Sequence, residues 1–209
     1  MSVEMLVQTG RQIVSNGMAR LRGARDGALV AQDDFAAAVE DGNVFGVCNQ
    51  AGATMAAGLS LTTPLLTLAN PAGSGVHGRL WYAGFVNEGI VTAAGSVLLA
   101  AGTNTIAAVV TGTLTTAHRN LKLGGLNAQG NKIVPFTLAT LPAVPVAVAL
   151  LGVQLTGALT TVPGFNALGR WFNGSIMIEP GCNLSIQSLA NINSAGLAEF
   201  IWEEVQIQS

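Results

Sequence analysis

Short apolar runs separated by turn-forming residues dominate the chain from Val44 onward. The runs are rich in β-branched and apolar side chains, and Gly, Pro and Asn interrupt them at the spacing typical of antiparallel strands. In SIMIEPGCNLSIQ, alternating isoleucine and leucine residues flank Pro180-Gly181, which predicts two strands around a turn. The pattern predicts about eight to ten short strands. It indicates an all-β fold, an antiparallel β-sandwich of jelly-roll-like or Greek-key kind.

Two segments of this β-rich region depart from simple alternation. The run EFIWEEVQI alternates at Phe200, Trp202, Val205 and Ile207 but slips at Glu203-Glu204. We expect a β-bulge at that slip, because an extra residue would restore the phase. Residues 94–110 carry small side chains that are also compatible with a helix.

The first forty residues follow a different pattern. The segment SVEMLVQTGRQIVSNGMARLR is compatible with a short amphipathic helix, although its glycines weaken it. In AQDDFAAAVEDGN, a helix is predicted to begin at Asp33 or Gln32 and to end at Asp41-Gly42-Asn43. Asp33 and Asp34 are interpreted as acidic residues at the helix N-terminus rather than as a catalytic pair. We therefore expect a short, partly helical N-terminal arm over residues 1–43 and a β-sandwich domain over residues 44–209.

Charged side chains are scarce and unevenly placed. They make up 10% of the 209 residues, against about 25% in an average domain. Half of them lie in the first 41 positions. Between residues 42 and 198 the chain has only seven: Arg79, Glu88, Arg119, Lys122, Lys132, Arg170 and Glu179. The β-rich body therefore has either a neutral hydrated surface or a surface covered by other chains, and we favour assembly.

Charge also bears on the class of partner. The net charge of −2 and the lack of a basic run argue against a nucleic-acid partner. The one basic cluster, Arg20, Arg22 and Arg25 beside Asp26, is either solvated surface or a grip for an acidic groove on another protein. Residues 89–117 and 133–169 are uncharged, but polar residues, Gly and Pro interrupt them. We therefore expect no membrane-spanning segment.

The stretch NPAGSGVHGRLWYAGFV contains the spacing G-x-G-x-x-G at Gly73, Gly75 and Gly78. A dinucleotide site with this spacing needs a helix after the glycines and an acidic residue about 20 positions further on. The residues that follow are aromatic and strand-forming, and residues 89–117 contain no Asp or Glu. The glycines are therefore interpreted as a hairpin loop with positive φ angles, and no cofactor is expected.

Other catalytic signatures are missing from the sequence. His77 and His118 are its only histidines, and no nucleophile elbow, zinc-protease motif or P-loop is present. The sequence therefore predicts a protein that is not an enzyme and has no metal site. A lyase or depolymerase that uses Glu88 and Glu179 is the enzymatic alternative.

The two cysteines and the N-terminus bear on the compartment. Cys48 and Cys182 belong to no C-x-x-C motif. Two thiols in a reducing compartment are expected, with a single disulfide as the alternative. The beginning of the chain, MSVEMLVQTGRQ, lacks the features of a signal peptide. Together these features favour the cytoplasm of the producing cell as the place of assembly.

Four stretches in a fixed order resemble a group of tailed-bacteriophage virion proteins. They are GNVFGVCNQAG, TTPLLTLANPAGSG, EPGCNLSIQSLA and FIWEEV, and together they span residues 42–205. In that group a short arm precedes a β-sandwich with NP-x-GSG, PG-x-x-LS-x-Q and WEE stretches. This chain departs from the group at Val76-His77, where a Lys usually follows GSG.

The resemblance implies a structural virion protein without catalysis, commonly a homotrimer bound to the major capsid protein or other virion proteins. A capsid decoration, or cement, protein is the main hypothesis, and a host-recognition component of the tail, baseplate or head fibre is the alternative. The candidate interface residues are Arg20, Arg22, Arg25, Phe35, Arg170 and Trp171. A recognition site would favour exposed aromatic side chains, and Trp171, which follows a Gly-rich turn, is the candidate for exposure. Trp81, Tyr82 and Trp202 lie in strand-like runs and are expected in the core.

Overall fold

Antiparallel strands make up most of the computed structural model, which describes residues 20–23, 29–88, 94–103, 109–115, 117–123, 131–154, 167–190 and 192–207. Its one short helix, α1, covers Asp34–Glu40. The strands within the described residues, in chain order, are β1 Arg20–Gly23, β2 Leu29–Gln32, β3 Val44–Cys48, β4 Ala53–Met55, β5 Leu66–Asn70, β6 Val76–Asn87, β7 Gly95–Thr103, β8 Thr111–Leu114, β9 Arg119–Asn120, β10 Val134–Thr140, β11 Val146–Gln154, β12 Ala167–Ile178, β13 Cys182–Ser188 and β14 Ile192–Gln206.

Two antiparallel sheets form the body. Sheet I has the strand order β11-β7-β13-β5-β10-β8, and sheet II has the order β12-β6-β14-β3-β9 with β4 paired to β14. The pairing is nested: β3 pairs with β14, β5 with β13, β6 with β12, and β7 with β11. A ribbon folded back on itself in this way is a jelly roll, with β8, β9 and β10 added in the β7–β11 connection. The prediction of an all-β antiparallel sandwich is confirmed.

The larger of two clusters of buried apolar residues lies between the sheets. Sheet II contributes Phe45, Phe200 and Trp202, and sheet I contributes Leu99 and Leu184, all at most 4% exposed. The rings of Phe45 and Trp202 stack with centroids 5.7 Å apart. Burying a side chain of this size contributes roughly 1.5–3 kcal/mol, so these residues hold the two layers face to face.

The helix-compatible segment at residues 94–110 is a strand over its described first part. Gly95–Thr103 forms β7, which pairs with both β11 and β13. Val97 and Leu99 face the core. Residues 97–100 are all buried, and this burial between neighbouring strands outweighs the helix propensity of the alanines in β7.

The predicted bulge at Glu203-Glu204 is wrong. The register shift lies instead where Ile201 pairs with Tyr82 but Trp202 pairs with Leu80, so the extra residue is Trp81 on the partner strand β6. β14 keeps its alternation, and Glu204 therefore falls on the same face as Trp202.

The buried carboxylate of Glu204 has a structural use. It accepts hydrogen bonds from the backbone N–H groups of Lys132, at 2.8 and 2.9 Å, and of Ile133, at 2.9 Å. Burial raises the pKa of Glu204, although these hydrogen bonds act in the opposite direction. The carboxylate thus holds the start of the segment that leads into β10 against the end of the core.

The glycine-rich stretch after β5 is a turn between the sheets and not a hairpin. Gly73 and Gly75 have φ angles of 79° and 74°, as expected for residues without a side chain. The turn joins β5 of sheet I to β6 of sheet II, however, and these two strands are not hydrogen-bonded partners. Pro180-Gly181 likewise joins β12 of sheet II to β13 of sheet I. The hairpin expected at Gly73–Gly78 is therefore an arch that connects the two layers, and the two strands predicted around Pro180-Gly181 are confirmed and joined by a second arch.

Asn70 ties these two arches together. Its buried side-chain amide donates to the carbonyl of Val76 at 2.8 Å and to the carbonyl of Ile178 at 2.9 Å. Its own carbonyl accepts a hydrogen bond from the N–H of Gly181 at 2.8 Å. One residue of sheet I thereby links to two strands of sheet II at one end of the sandwich.

The chain divides into two compact units, Met1–Ala37 and Ala38–Ser209. In the first unit, β1 and β2 form an antiparallel ribbon, so residues 20–22 are extended and not part of the helix expected there. The strand pairing satisfies their backbone groups in place of helical hydrogen bonds. The residues of that predicted helix before Arg20 lie outside the described part of the chain.

The predicted helix is present as α1, and its cap is Asp33. The Asp33 carboxylate accepts a hydrogen bond from the N–H of Phe35 at 3.1 Å. At the other end Gly42 has a φ of 76°, and the N–H of Asn43 donates to the carbonyl of Ala38. Ala38 is fully buried and belongs to the second unit. The prediction of an arm over residues 1–43 stays a prediction.

We expect Asn70→Ala to destabilise the fold by about 2–4 kcal/mol, because two buried carbonyls lose their donor. The measurement is the urea midpoint of unfolding at fixed protein concentration. Gln206→Ala removes an exposed amide from β14 and should change stability by less than about 0.5 kcal/mol. A loss below about 1 kcal/mol for Asn70→Ala would show that the amide does not hold the arches.

Candidate functional site

The six candidate interface residues are not gathered into one described patch. Arg20 and Arg22 lie in β1, and Phe35 lies half-buried in α1. Arg25 lies outside the described residues. Only Arg170 and Trp171 lie in the sandwich, next to each other on β12.

Arg170 and Trp171 face opposite sides of sheet II. The Arg170 guanidinium carbon lies 5.2 Å from the ring centroid of Phe172, which belongs to the core. Trp171 faces outward and is 53% exposed. The sequence hypothesis that this tryptophan is exposed is confirmed, and Trp171 presents an aromatic surface that the core does not use.

A small aromatic surface surrounds Trp171, and we call it the aromatic shelf: Tyr82, Trp171 and Glu199 above Gly84 and Gly169. Tyr82 pairs with Trp171 across β6 and β12, with ring centroids 5.1 Å apart and planes inclined by 53°. Glu199 of β14 lies opposite Gly84 of β6. Its carboxylate accepts the hydrogen bond of the Tyr82 hydroxyl.

The two glycines determine how Tyr82 lies. A β-carbon on Gly84 would come within 2.9 Å of the Tyr82 hydroxyl, and one on Gly169 would collide with it. The phenol ring therefore lies across the backbone of both strands, which only glycine permits. Burial and the Glu199 carboxylate raise the pKa of Tyr82 above its ordinary value of 10.0, since the carboxylate stabilises the protonated phenol.

Sequence reasoning assigned Tyr82 to the core, and that assignment is wrong, because Tyr82 is half-buried on the outer face. Trp202, by contrast, is fully buried, and Trp81 is 5% exposed, as expected. The Trp81 bulge shifts the phase of β6, so a strand that reads as continuously apolar sends Tyr82 outward. The glycines at positions 84 and 169 are the one sequence signal that could have indicated it.

A second exposed surface follows β11, the edge strand of sheet I. Its apolar side chains include Val146 at 69% exposure, Val148 and Leu150 at 51%, and Val153 at 48%. No charged residue occurs in the sequence between residues 133 and 169. Charged side chains on an edge strand normally discourage association, and this edge has none. We call these four residues the β11 edge.

Two bulges in β11, rather than charged side chains, disfavour the addition of another strand at this edge. Its pairing with β7 shifts register at Val148 and again at Leu151. Two bulges twist the strand, which disfavours adding another strand by backbone hydrogen bonding. The edge is therefore suited to side-chain packing against a second surface rather than to sheet extension.

The residues proposed for enzymatic work are not arranged as an acid–base pair. Glu179 follows the end of β12, which pairs with the beginning of β6, while Glu88 follows the end of β6. At about 3.3 Å per residue, the length of β6 separates them by roughly 30 Å. Paired carboxylates must lie within about 10 Å of each other to act on one bond.

Both cysteines are free thiols and half-buried. Burial, with Glu199 and then Glu88, raises the pKa of Cys48. Burial, with Glu179, raises the pKa of Cys182. A raised pKa keeps each thiol protonated and poorly nucleophilic near neutral pH.

One open cavity of about 340 Å³ lies beside the β3–β4 connection. Its lining includes Asn49, Gln50, Thr113, Thr115 and Leu138, and every residue that lines it is uncharged. His118, the histidine near this region, is held by the carbonyl of Thr115 at 3.0 Å and by Asn131 at 2.9 Å. The cavity offers hydroxyl and amide groups but no acid or base.

Over the described residues, no three His, Cys, Asp or Glu side chains come together as a set that could hold a metal ion. The same part of the chain contains no helix with the length and apolar character needed to cross a membrane. The chain matches no protein-family model, and neither curated proteins nor solved structures give a significant match. The resemblance to tailed-phage virion proteins therefore stays a prediction.

We expect Glu199→Gln to lower the pKa of Tyr82, because the substitution removes the negative charge that opposes phenolate formation. Tyr82 is the one tyrosine in the chain, so the ultraviolet absorbance of tyrosinate reports on it alone. Glu179→Gln, which removes an exposed carboxylate from an arch, should leave the titration unchanged. An unchanged titration in Glu199→Gln would contradict the assigned hydrogen bond.

Proposed function

We propose that the chain is a non-enzymatic structural protein of a tailed-phage virion, a homotrimeric capsid decoration protein. The observation that carries the proposal is the β11 edge, whose four apolar side chains are about half or more exposed with no charge among them. A jelly roll hosts many functions, so the fold alone does not decide between them.

An exposed apolar edge is a cost to a protein that stays alone in water. Apolar surface stabilises association by roughly 25 cal/mol for each Å² removed from water. A ring of subunits gives each copy the same contact, in which the edge of one chain packs on a different surface of the next. The trimeric state is proposed from the resemblance, and the apolar edge supports association in general.

In this proposal the N-terminal arm, residues 1–43, makes the contact with the shell. Half of the charged residues lie in the first 41 positions, including Arg20, Arg22 and Arg25. A charged arm and a nearly uncharged body are suited to different contacts. The body would pack against the other subunits, and the arm would bind the major capsid protein.

The alternative is host recognition from the tail, baseplate or head fibre. The exposure of Trp171 favours it, because exposed aromatic side chains are typical of binding surfaces. On intact particles, immunogold label over the whole shell would support decoration, and label confined to the tail would support recognition.

We expect Val148→Lys to dissociate the oligomer, because a lysine buried against an apolar partner costs about 3–5 kcal/mol, at least a hundredfold in Kd. Val148 is half-exposed in the single chain, so the variant should still fold. Native mass spectrometry should give three times the 21.3 kDa chain mass for the wild type and one for the variant.

Thr111→Lys is the matched control for this experiment. It adds the same charge to an exposed position on β8, at the opposite edge of sheet I. The control should keep the wild-type mass. A wild-type protein that stays monomeric at high concentration would overturn the proposed assembly.

We expect a chain that lacks residues 1–32 to remain a folded oligomer and to lose binding to capsids of the encoding phage. The deletion ends before Asp33 so that the cap of α1 and the buried Ala38 are kept. Sedimentation with purified capsids measures binding, and circular dichroism checks the fold. Wild-type occupancy by the shortened chain would show that the arm is not the shell contact.

A further inference from the structure

The side chains of the aromatic shelf are fixed in position by several contacts. Tyr82 is held in place by the Glu199 hydrogen bond and by the backbone of Gly84 and Gly169, and Trp171 packs against it. The two rings are therefore oriented before any ligand arrives. A preorganised site loses little conformational entropy on binding.

The chemistry of the shelf is aromatic and acceptor-rich. Each aromatic ring has a negative face, which attracts the weakly positive C–H groups of a flat, partly apolar ligand. A carboxylate accepts hydrogen bonds from hydroxyl groups. A pyranose sugar combines these two features, since one side of its ring presents C–H groups and its rim presents hydroxyls.

The charges around the aromatic shelf favour a neutral sugar over an anionic one. The negative charges of Glu199 and Glu88 both contribute to the raised pKa of Cys48, so the electrostatic potential at this end of the outer face is negative. Arg79, a cation on the same face, lies 3.6 Å from the carboxylate of Glu203, which offsets its charge. An anionic sugar such as a uronic acid would be repelled, and a neutral sugar would not.

We propose that the aromatic shelf of Tyr82, Trp171 and Glu199 binds a neutral saccharide by ring stacking and hydroxyl hydrogen bonding. The site does not depend on the proposed capsid role. On a decorated particle it would add an affinity for glycan-coated surfaces, with many copies compensating for a weak single site.

The test uses the full-length protein and three probes: methyl β-galactopyranoside, methyl α-glucopyranoside and methyl β-N-acetylglucosaminide. Saturation-transfer NMR should show contact with at least one of them, with a dissociation constant of about 1 mM for a ligand of this size. Methyl glucuronide should show no transfer. No transfer from any neutral probe would overturn the proposal.

Variants locate the binding. Trp171→Ala should weaken it by about tenfold or more, because the stacked ring is lost. Tyr82→Phe keeps the second ring and removes its hydroxyl, so it should weaken binding less. Met177→Ala removes another exposed apolar side chain from the outer face of β12 and should have no effect. Binding that survives Trp171→Ala would place the sugar elsewhere and overturn the assignment.

The masses of the same variants separate this proposal from the proposed assembly. Trp171→Ala should keep the wild-type oligomeric mass while losing the sugar, whereas Val148→Lys should lose the oligomer and keep the sugar. If Trp171→Ala dissociates the oligomer, the shelf is a subunit contact and the saccharide site is wrong.

Discussion

The alternation of side chains along β14 is the constraint on which both faces of sheet II depend. Phe200 and Trp202 face the core, and Glu199 and Ile201, which alternate with them along the strand, face outward. A slip of one residue would exchange the two sets and expose the largest aromatic side chain of the core. The bulge at Trp81 lets β6 follow this alternation on both sides of the shift. The outward position of Tyr82, and with it the aromatic shelf, follows from that adjustment.

Buried side-chain amides, rather than charged groups, make several of the hydrogen bonds that join distant parts of this fold. Asn49 accepts from the N–H of Ala198, Asn70 ties two arches, and Asn87 donates to Gln154 across the sheets at 2.8 Å. Buried amides satisfy backbone and side-chain partners without the desolvation cost of a charge. Few ionised groups are then needed inside, and the low charge of the body extends to its outer edge at β11.

The sequence predicted the features that depend on local chemistry. The Asp33 cap, the glycines with positive φ and the alternation of the β-rich body all follow from neighbouring residues. The sequence-based predictions failed for features that depend on which distant strands pair. The glycine-rich arch was interpreted as a hairpin because a short turn does not reveal which sheet the next strand joins. The bulge was placed on β14 because its true position on β6 depends on which residues the two strands pair.

The candidate site was predictable to the same limited degree. The exposure of Trp171 followed from its setting after a glycine-rich turn, but its partners Tyr82 and Glu199 lie on two other strands, far away in sequence. The β11 edge was visible only as an uncharged stretch. Its position at the margin of sheet I comes from the nested pairing, which no local pattern contains.

The same nested pairing places part of the β11 edge and the aromatic shelf on different faces of the sandwich. β11 and β12 lie at the same side of the sandwich but belong to different sheets. Leu150 and Val153 pair with residues on the outer side of sheet I, while Trp171 lies on the outer side of sheet II. The outer faces of a two-layer sandwich point in opposite directions. In the proposed assembly, contacts through Leu150 and Val153 would therefore bury part of the apolar edge without covering the aromatic shelf.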